Sequence, residues 1–287
     1  MSDRPAVQAE RMTFGEHLDA LRPHLVRSAA VVFALMLIAF CCKRLLVDGL
    51  LLGPLSEDFP ANRLLQRLAA ASGLDEGLFG QSRLQLVSTT MAGQFNLHLK
   101  ISFIAALTLG FPYVVWELWR FIRPGLTPRE QRGCRRLVGC IALGFFAGLA
   151  FGYLLIAPLT VGFLARYRVS AAVANMIDAG SYLSTVVNVS LACALLFQLP
   201  LLVHTLTRTG LLTPEWLRRY RRHAILVLAL LAALITPPDA ASMVLVLLPL
   251  YGLYELSIRI AARTRRRMER TAGSDTAGSD TAAAPGI

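Results

Sequence analysis

Charge is scarce in this sequence, and negative charge is scarcer still. Only 16% of the 287 residues are Asp, Glu, Lys or Arg, where a soluble domain carries about a quarter. With 55% hydrophobic residues, that shortfall argues against a water-soluble globule. Cysteine is sparse and unpatterned. Cys41, Cys42, Cys134, Cys140 and Cys193 form no C-x-x-C pair and sit in or beside apolar blocks, so neither a disulfide framework nor a metal site is expected. Catalytic signatures are missing: there is no nucleophile elbow, no H-E-x-x-H, no P-loop and no pair of intramembrane aspartates. His17, His24, His98, His204 and His223 are scattered. Neither an enzyme nor a cofactor is expected. No cleavable leader is recognisable, because the first apolar block begins near Val26, after a charged lead.

What is present is apolar sequence in long blocks. They approach the roughly 20 residues that span a bilayer and are continuous rather than alternating, which favours helices over a β-barrel. The expected fold is all-α: a polytopic membrane protein with six transmembrane helices over residues 1–263. The spans fall at about 26–46, 95–119, 137–165, 182–206, 222–236 and 240–258. Ahead of them Phe14, Leu18, Leu21 and Leu25 recur at helical spacing, as in an amphipathic helix on the membrane surface. Pro112, Pro158, Pro200 and Pro249 lie inside spans. Each removes a backbone donor and bends its helix, so a concave, kinked bundle is expected. The last two spans are short and joined by Thr236-Pro237-Pro238-Asp239, which makes them antiparallel neighbours. Residues 264–287 end in the repeat AGSDTAGSDTA and read as a disordered tail.

The net charge of +11 follows from orientation rather than from nucleic acid. Six arginines, Arg120, Arg123, Arg129, Arg132, Arg135 and Arg136, fall in the stretch from Glu117 to Arg136 between two spans. Arg208, Arg218, Arg219, Arg221 and Arg222 fill the next inner loop, and more follow the last span. The segment from Val47 to Leu86 balances both signs. Basic loops stay on the cytoplasmic side, so both termini are placed in the cytoplasm.

Few polar residues interrupt the blocks. Lys100, Glu117 and Glu255 lie near span ends and are expected to snorkel. Gln198 lies deep in the fourth span and needs a hydrogen-bonding partner from another helix, or else marks a polar spot facing lipid or a binding partner. Glu130, late in the first basic loop, on the residues alone simply balances Arg129 and Arg132.

Several short strings, in order, resemble one family. They are His17-Leu18 with Leu21-Arg22, Gly53-Pro54-Leu55, Trp119 and Phe121 with Pro124 before Glu130, Ser181-Tyr182-Leu183, Phe197 with Pro200, and Thr236-Pro237-Pro238-Asp239. From Phe14 to Arg263 the chain resembles TatC, the multispanning receptor subunit of the twin-arginine protein translocase. The resemblance implies a glove-like six-helix bundle in the bacterial cytoplasmic membrane. Its cytoplasmic face would bind precursor proteins carrying twin-arginine signal peptides. Folded cargo would then cross with TatA- and TatB-like single-span subunits, in an oligomeric complex driven by the proton-motive force.

By that resemblance Glu130 contacts the signal peptide, with Phe121 and Arg22 at the same surface. Pro54, Tyr182, Gln198 and Asp239 hold structure or meet partners, and Arg22 orders the amino-terminal helix or anchors it to membrane lipid. Two positions depart from the family pattern. Ala20 stands where a glutamate is usual, and Glu16 or Asp19 is expected to substitute for it in part. Gln198 stands where the family usually has an intramembrane glutamate, and it cannot carry a titrating charge. Two other readings remain: a small-solute transporter, or a paralogue with the family fold that no longer reads twin arginines.

Overall fold

The computed structural model describes residues 14–55, 59, 86–122, 128–168, 170, 176–208, 210–235 and 240–282. The chain forms two compact units, one of Met1–Lys43 with Ser102–Ala142 and the other of Arg44–Ile101 with Leu143–Ile287.

In the first unit, helix α1 (Phe14–Cys41) packs against the later part of α2 (Gly93–Ile122). The amphipathic lead and the first span are one helix here, not two elements. Pro23 lies inside it, and the helix continues past it over the apolar run that follows. Small side chains let the pair approach. Ser28, Ser102, Ala105 and Ala106 are buried, and a Cβ on Gly110 would stand 3.2 Å from Val32. Close approach through small residues is how helices associate where water supplies no driving force. Helix α3 (Pro128–Phe151) begins in this unit.

In the second unit, α3 runs into a π-helical stretch, Gly152–Ile156, and then α4 (Ala157–Arg166). Pro158 offers no N–H, and the wider turn lets Ala157 N–H reach Gly152 O instead. A second π stretch, Leu45–Leu51, leads into a 3₁₀ turn, Gly53–Leu55. The fourth span is α5 (Ala179–Leu196) followed by α6 (Leu199–Arg208). The break at Phe197-Gln198 has a local cause. Pro200 cannot donate, so the ladder switches, with Gln198 N–H bonding Leu195 O at 3.0 Å and Leu202 N–H bonding Gln198 O at 2.9 Å. Gly210, at φ +79°, takes the chain out of α6 in a conformation that favours glycine. A parallel two-residue ladder pairs β1 (Leu86–Val87) with β2 (Ile177–Asp178) beside the outer ends of spans.

Helices α8 (Arg221–Ile235) and α9 (Ala240–Ala282) close this unit. Ile156, Val189, Cys193, Leu228, Ala232, Val246 and Leu250 form its main core. A smaller cluster of Val203, Leu217, Ile258 and Ala261 gathers under the short helix α7 (Pro214–Arg219). Thr213 caps α7 by accepting from Trp216 N–H, with Pro214 in the first turn.

Four helical stretches among the described residues are long and apolar enough to cross a membrane: Asp19–Cys41, Gly93–Phe121, Leu137–Ala165 and Ala179–Arg208. Helix α8 has 15 residues, fewer than the roughly 20 that span a bilayer. The tail differs from expectation. Helix α9 does not stop at Arg263 but runs to Ala282, so the segment read as disordered from residue 264 is helical through Ala282. Arg, Met and Glu, all good helix formers, fill Arg263 to Arg270 apart from Thr264. The Gly-Ser-Asp-Thr repeat beyond has no such propensity, and nothing in the structure explains its helix.

Candidate functional site

The strongest polar constellation in the first unit is built around Glu117. It lies near the end of α2 and is only 1% exposed. Its Oε2 is 2.6 Å from His24 Nδ1 on α1. Its Oε1 accepts from the Tyr113 hydroxyl and from an Arg120 guanidinium nitrogen, both at 3.1 Å. Helix geometry explains the last two, because residues three and four apart share a face. The expectation that Glu117 would snorkel is corrected: three donors satisfy its carboxylate inside the unit. Burial of a carboxylate is tolerable only with such partners. The Phe121 ring stands edge-on to His24 at 6.2 Å between centroids, so Phe121 belongs to the same cluster.

Asp19 and Arg22 are exposed on α1, five and two residues before His24. Glu16 lies in the first turn of α1, and Glu130 is the third residue of α3. Both side chains lie outside the described residues, as do all of Asp239, the loop 123–127 and most of residues 56–85. The structure therefore joins Phe121 to His24 and Glu117.

A second constellation closes the outer end of the first span, within the second unit. The buried Tyr182 hydroxyl donates to Leu51 O at 2.9 Å, and the Tyr153 hydroxyl donates to Leu50 O. These carbonyls end the π stretch, where a helix leaves acceptors unpaired. Buried Pro54 follows directly, and a Cβ on Gly53 would stand 3.0 Å from the Tyr153 oxygen. Pro54 and Tyr182 are thus parts of one cap. Asp178 begins α5 beside it. Its carboxylate accepts from Gly180 N–H at 2.9 Å and Ser181 N–H at 3.2 Å. The Ser181 N–H above all holds that carboxyl below its usual range.

Gln198 meets its own helix rather than a titrating partner. Its amide nitrogen donates to Ala194 O at 3.4 Å, and a Cβ on Gly144 would stand 3.3 Å from it. Gly148 and Gly152 continue that contact. A Cβ on either would come within 2.7 Å of α5 backbone, so spans three and four touch through glycine. At the other end of the unit Glu255 pairs with Arg221 at 3.0 Å and accepts from Tyr251, which again replaces an expected snorkelling contact.

A family model described as Sec-independent protein translocase protein (TatC) matches residues 16–249. The chain belongs to the TatC family. A TatC from Blattabacterium sp. subsp. Periplaneta americana is 32% identical over 256 residues, covering 88% of this chain and 96% of that protein. A TatC from Deinococcus radiodurans is 36% identical over 244 residues, covering 85% of this chain and 83% of that protein. Two crystal structures titled as the twin arginine translocase receptor TatC are also similar. One superposes with a TM-score of 0.64 at 26% identity, over 86% of this chain and 99% of that one. The other gives 0.60 at 25% identity, over 87% and 100%. TatC proteins are six-span membrane proteins.

Sequence reasoning missed His24, Tyr113 and Tyr153 as structural polar residues. The spacing Tyr113, Glu117, Arg120 was a usable signal for an internally paired acid. The contact with His24 spans 93 residues, and no local pattern announces it.

Proposed function

We propose that this chain is the receptor and core subunit of a twin-arginine translocase in the bacterial cytoplasmic membrane. It takes up signal peptides with consecutive arginines at its cytoplasmic face, where both termini lie. It assembles with TatA- and TatB-like single-span subunits into an oligomer, and folded precursors cross under the proton-motive force. It is a transport protein rather than an enzyme. The observation that carries this reading is the family match from residue 16 to residue 249, which includes both the amino-terminal lead and the first basic loop.

The chemistry assigned to that loop is carboxylate recognition of guanidinium. A carboxylate can accept two parallel hydrogen bonds from the planar fork of arginine, whereas lysine offers a point charge. Glu130 fills that role, and Asp19 and Glu16 on α1 supply further negative charge near Ala20. Phe121, held against His24, offers an aromatic surface beside them.

The test is export of a folded reporter in cells lacking their own TatC-type subunit, with this chain and its single-span partners supplied. Export should require paired arginines in the signal and stop when a protonophore collapses the proton-motive force. Glu130→Ala should lower it about tenfold or more, as expected for losing one charge-assisted pair. Export of the twin-lysine reporter at the same rate would instead favour a paralogue that no longer reads twin arginines. Ala20 and the non-titrating Gln198 are the residues that keep that reading in view.

A further inference from the structure

Where α7 meets α8, the second unit carries positive charge that its own acids do not balance. Glu215 is already paired with Arg265, and Glu255 with Arg221 at 3.0 Å. Arg218, Arg219 and Arg222 are exposed and have no ion-pair partner among the described residues. Cations crowded into one short stretch repel one another and favour a bound anion.

The platform that holds them is firmly seated. Pro214 and Leu217 are buried, Thr213 accepts from Trp216 N–H, and the Tyr254 hydroxyl donates to Leu217 O at 2.7 Å. Those contacts leave Trp216 turned outward, 50% exposed. Its ring lies 4.6 Å from that of Tyr220, and Tyr220 lies 5.5 Å from His223. Helical bonding carries through the junction, with Tyr220 N–H on Trp216 O at 3.1 Å and Ala224 N–H on Tyr220 O at 2.9 Å. Trp216, Arg219, Tyr220 and His223 therefore share one face. The same spacing extends it to Leu226 and Leu230, both 72% exposed.

That face is graded along its length. Cations and aromatic rings stand at one end, where the fifth span expected from the sequence begins, and bare aliphatic side chains follow. From His223 to Leu230 is about 10 Å along the helix, within one leaflet of a hydrocarbon layer about 30 Å thick. Aromatic rings with a polar edge settle at the headgroup level, and guanidinium forks suit phosphate oxygens. A water-soluble anion would leave the leucines unused. A zwitterionic headgroup would set another cation beside three arginines. An anionic amphiphile matches every step.

We propose that Arg218, Arg219 and Arg222, with the Trp216–Tyr220–His223 aromatic row, bind the headgroup of an anionic phospholipid whose acyl chain lies along Leu226 and Leu230. The site lies within the second unit and stands whether or not the chain reads twin arginines.

The test uses the full chain, purified in mild detergent and washed free of lipid, then titrated with phosphatidylglycerol or phosphatidylcholine while native mass spectrometry counts the bound molecules. Phosphatidylglycerol should bind about fivefold or more tightly than phosphatidylcholine. Arg219→Gln with Arg222→Gln should weaken it about tenfold, as for losing charge-assisted contacts to phosphate. Arg132→Gln with Arg135→Gln removes the same charge from the first basic loop and should change nothing. Trp216→Ala should weaken binding, and Trp216→Phe should retain most of it. Phosphatidylglycerol with brominated acyl chains should quench the fluorescence of the unaltered chain, and Trp216→Phe should lose most of that quenching. The quenching and the comparison of the two lipids need no arginine variant, so they decide the matter even if the double variant fails to fold. Equal binding of both lipids, equal losses in the two arginine pairs, or quenching that does not depend on Trp216 would overturn the proposal. So would displacement of the lipid by millimolar inorganic phosphate. Binding of a poly-glutamate peptide without any lipid preference would overturn it too, and assign the face to an acidic protein segment.

Discussion

His24 Nδ1 on α1 lies 2.6 Å from Oε2 of Glu117 on α2, across 93 residues of sequence. This contact clamps the helix that carries Asp19 and Arg22 to the helix that carries Phe121 in its last turn and leads into the basic loop. Glu117→Ala removes the shared acceptor of His24, Tyr113 and Arg120. The expected loss is on the order of 2 kcal/mol of stability, read as a lower unfolding temperature in detergent. Glu117→Gln keeps an acceptor oxygen and should fall between. An unchanged unfolding temperature for Glu117→Ala would show that the clamp holds nothing.

Spans three and four should tolerate no side chain at Gly148, where a Cβ would stand 2.7 Å from both Cys193 O and Phe197 Cβ. Gly148→Leu should cost about 1–3 kcal/mol or more through overpacking and lower the folded yield. Gly139→Leu is the control, because nothing lies within 4 Å of a Cβ there. Equal yields for the two variants would contradict the glycine contact.

The outer cap depends on two phenols. Tyr182→Phe and Tyr153→Phe each remove a donor to the carbonyls of Leu51 and Leu50. Each should cost about 1 kcal/mol, and Tyr182, the more deeply buried, should cost the more. Proteolytic susceptibility of the segment after Leu51 is the direct readout, and it should rise in both variants.

Acid should loosen the start of α5. Asp178 is held below its ordinary range, chiefly by the Ser181 N–H. A carboxyl depressed in the folded state contributes stability that is present above its unfolded value, about pH 4, and is lost as pH falls through the lower folded value. Asp178→Asn keeps a capping oxygen but has no proton to gain. The variant's stability should therefore be flatter below about pH 4 than that of the parent chain. Parallel acid limbs would show that Asp178 is not the group titrating.

Much of this protein is legible in its sequence, for a physical reason. A bilayer demands long apolar helices with internally paired backbones, so the first four spans could be read from composition. Of the four prolines inside spans, Pro158 and Pro200 rearrange the backbone ladder as a missing donor requires, whereas the helices run on without a break past Pro112 and Pro249. What stayed hidden depends on contacts between distant segments. Glu117 and Glu255 both read as snorkelling acids because each sits near a span end. His24, Tyr113 and Arg120 answer the first and Arg221 and Tyr251 the second. Tyr182 and Pro54 entered through resemblance alone, and Tyr182 bonds the carbonyl of Leu51, three residues before Pro54. The division between lead helix and first span was misplaced because a change of polarity does not end a helix.

The most direct test of the receptor account is binding of a twin-arginine signal peptide to the purified chain in nanodiscs, beside the same peptide with two lysines, repeated on Glu130→Ala. The account predicts that the twin-arginine peptide binds, that the lysine pair does not, and that Glu130→Ala abolishes the difference. Equal binding of both peptides regardless of Glu130, or binding of neither, would contradict it and leave a TatC-family fold that does not recognise this signal.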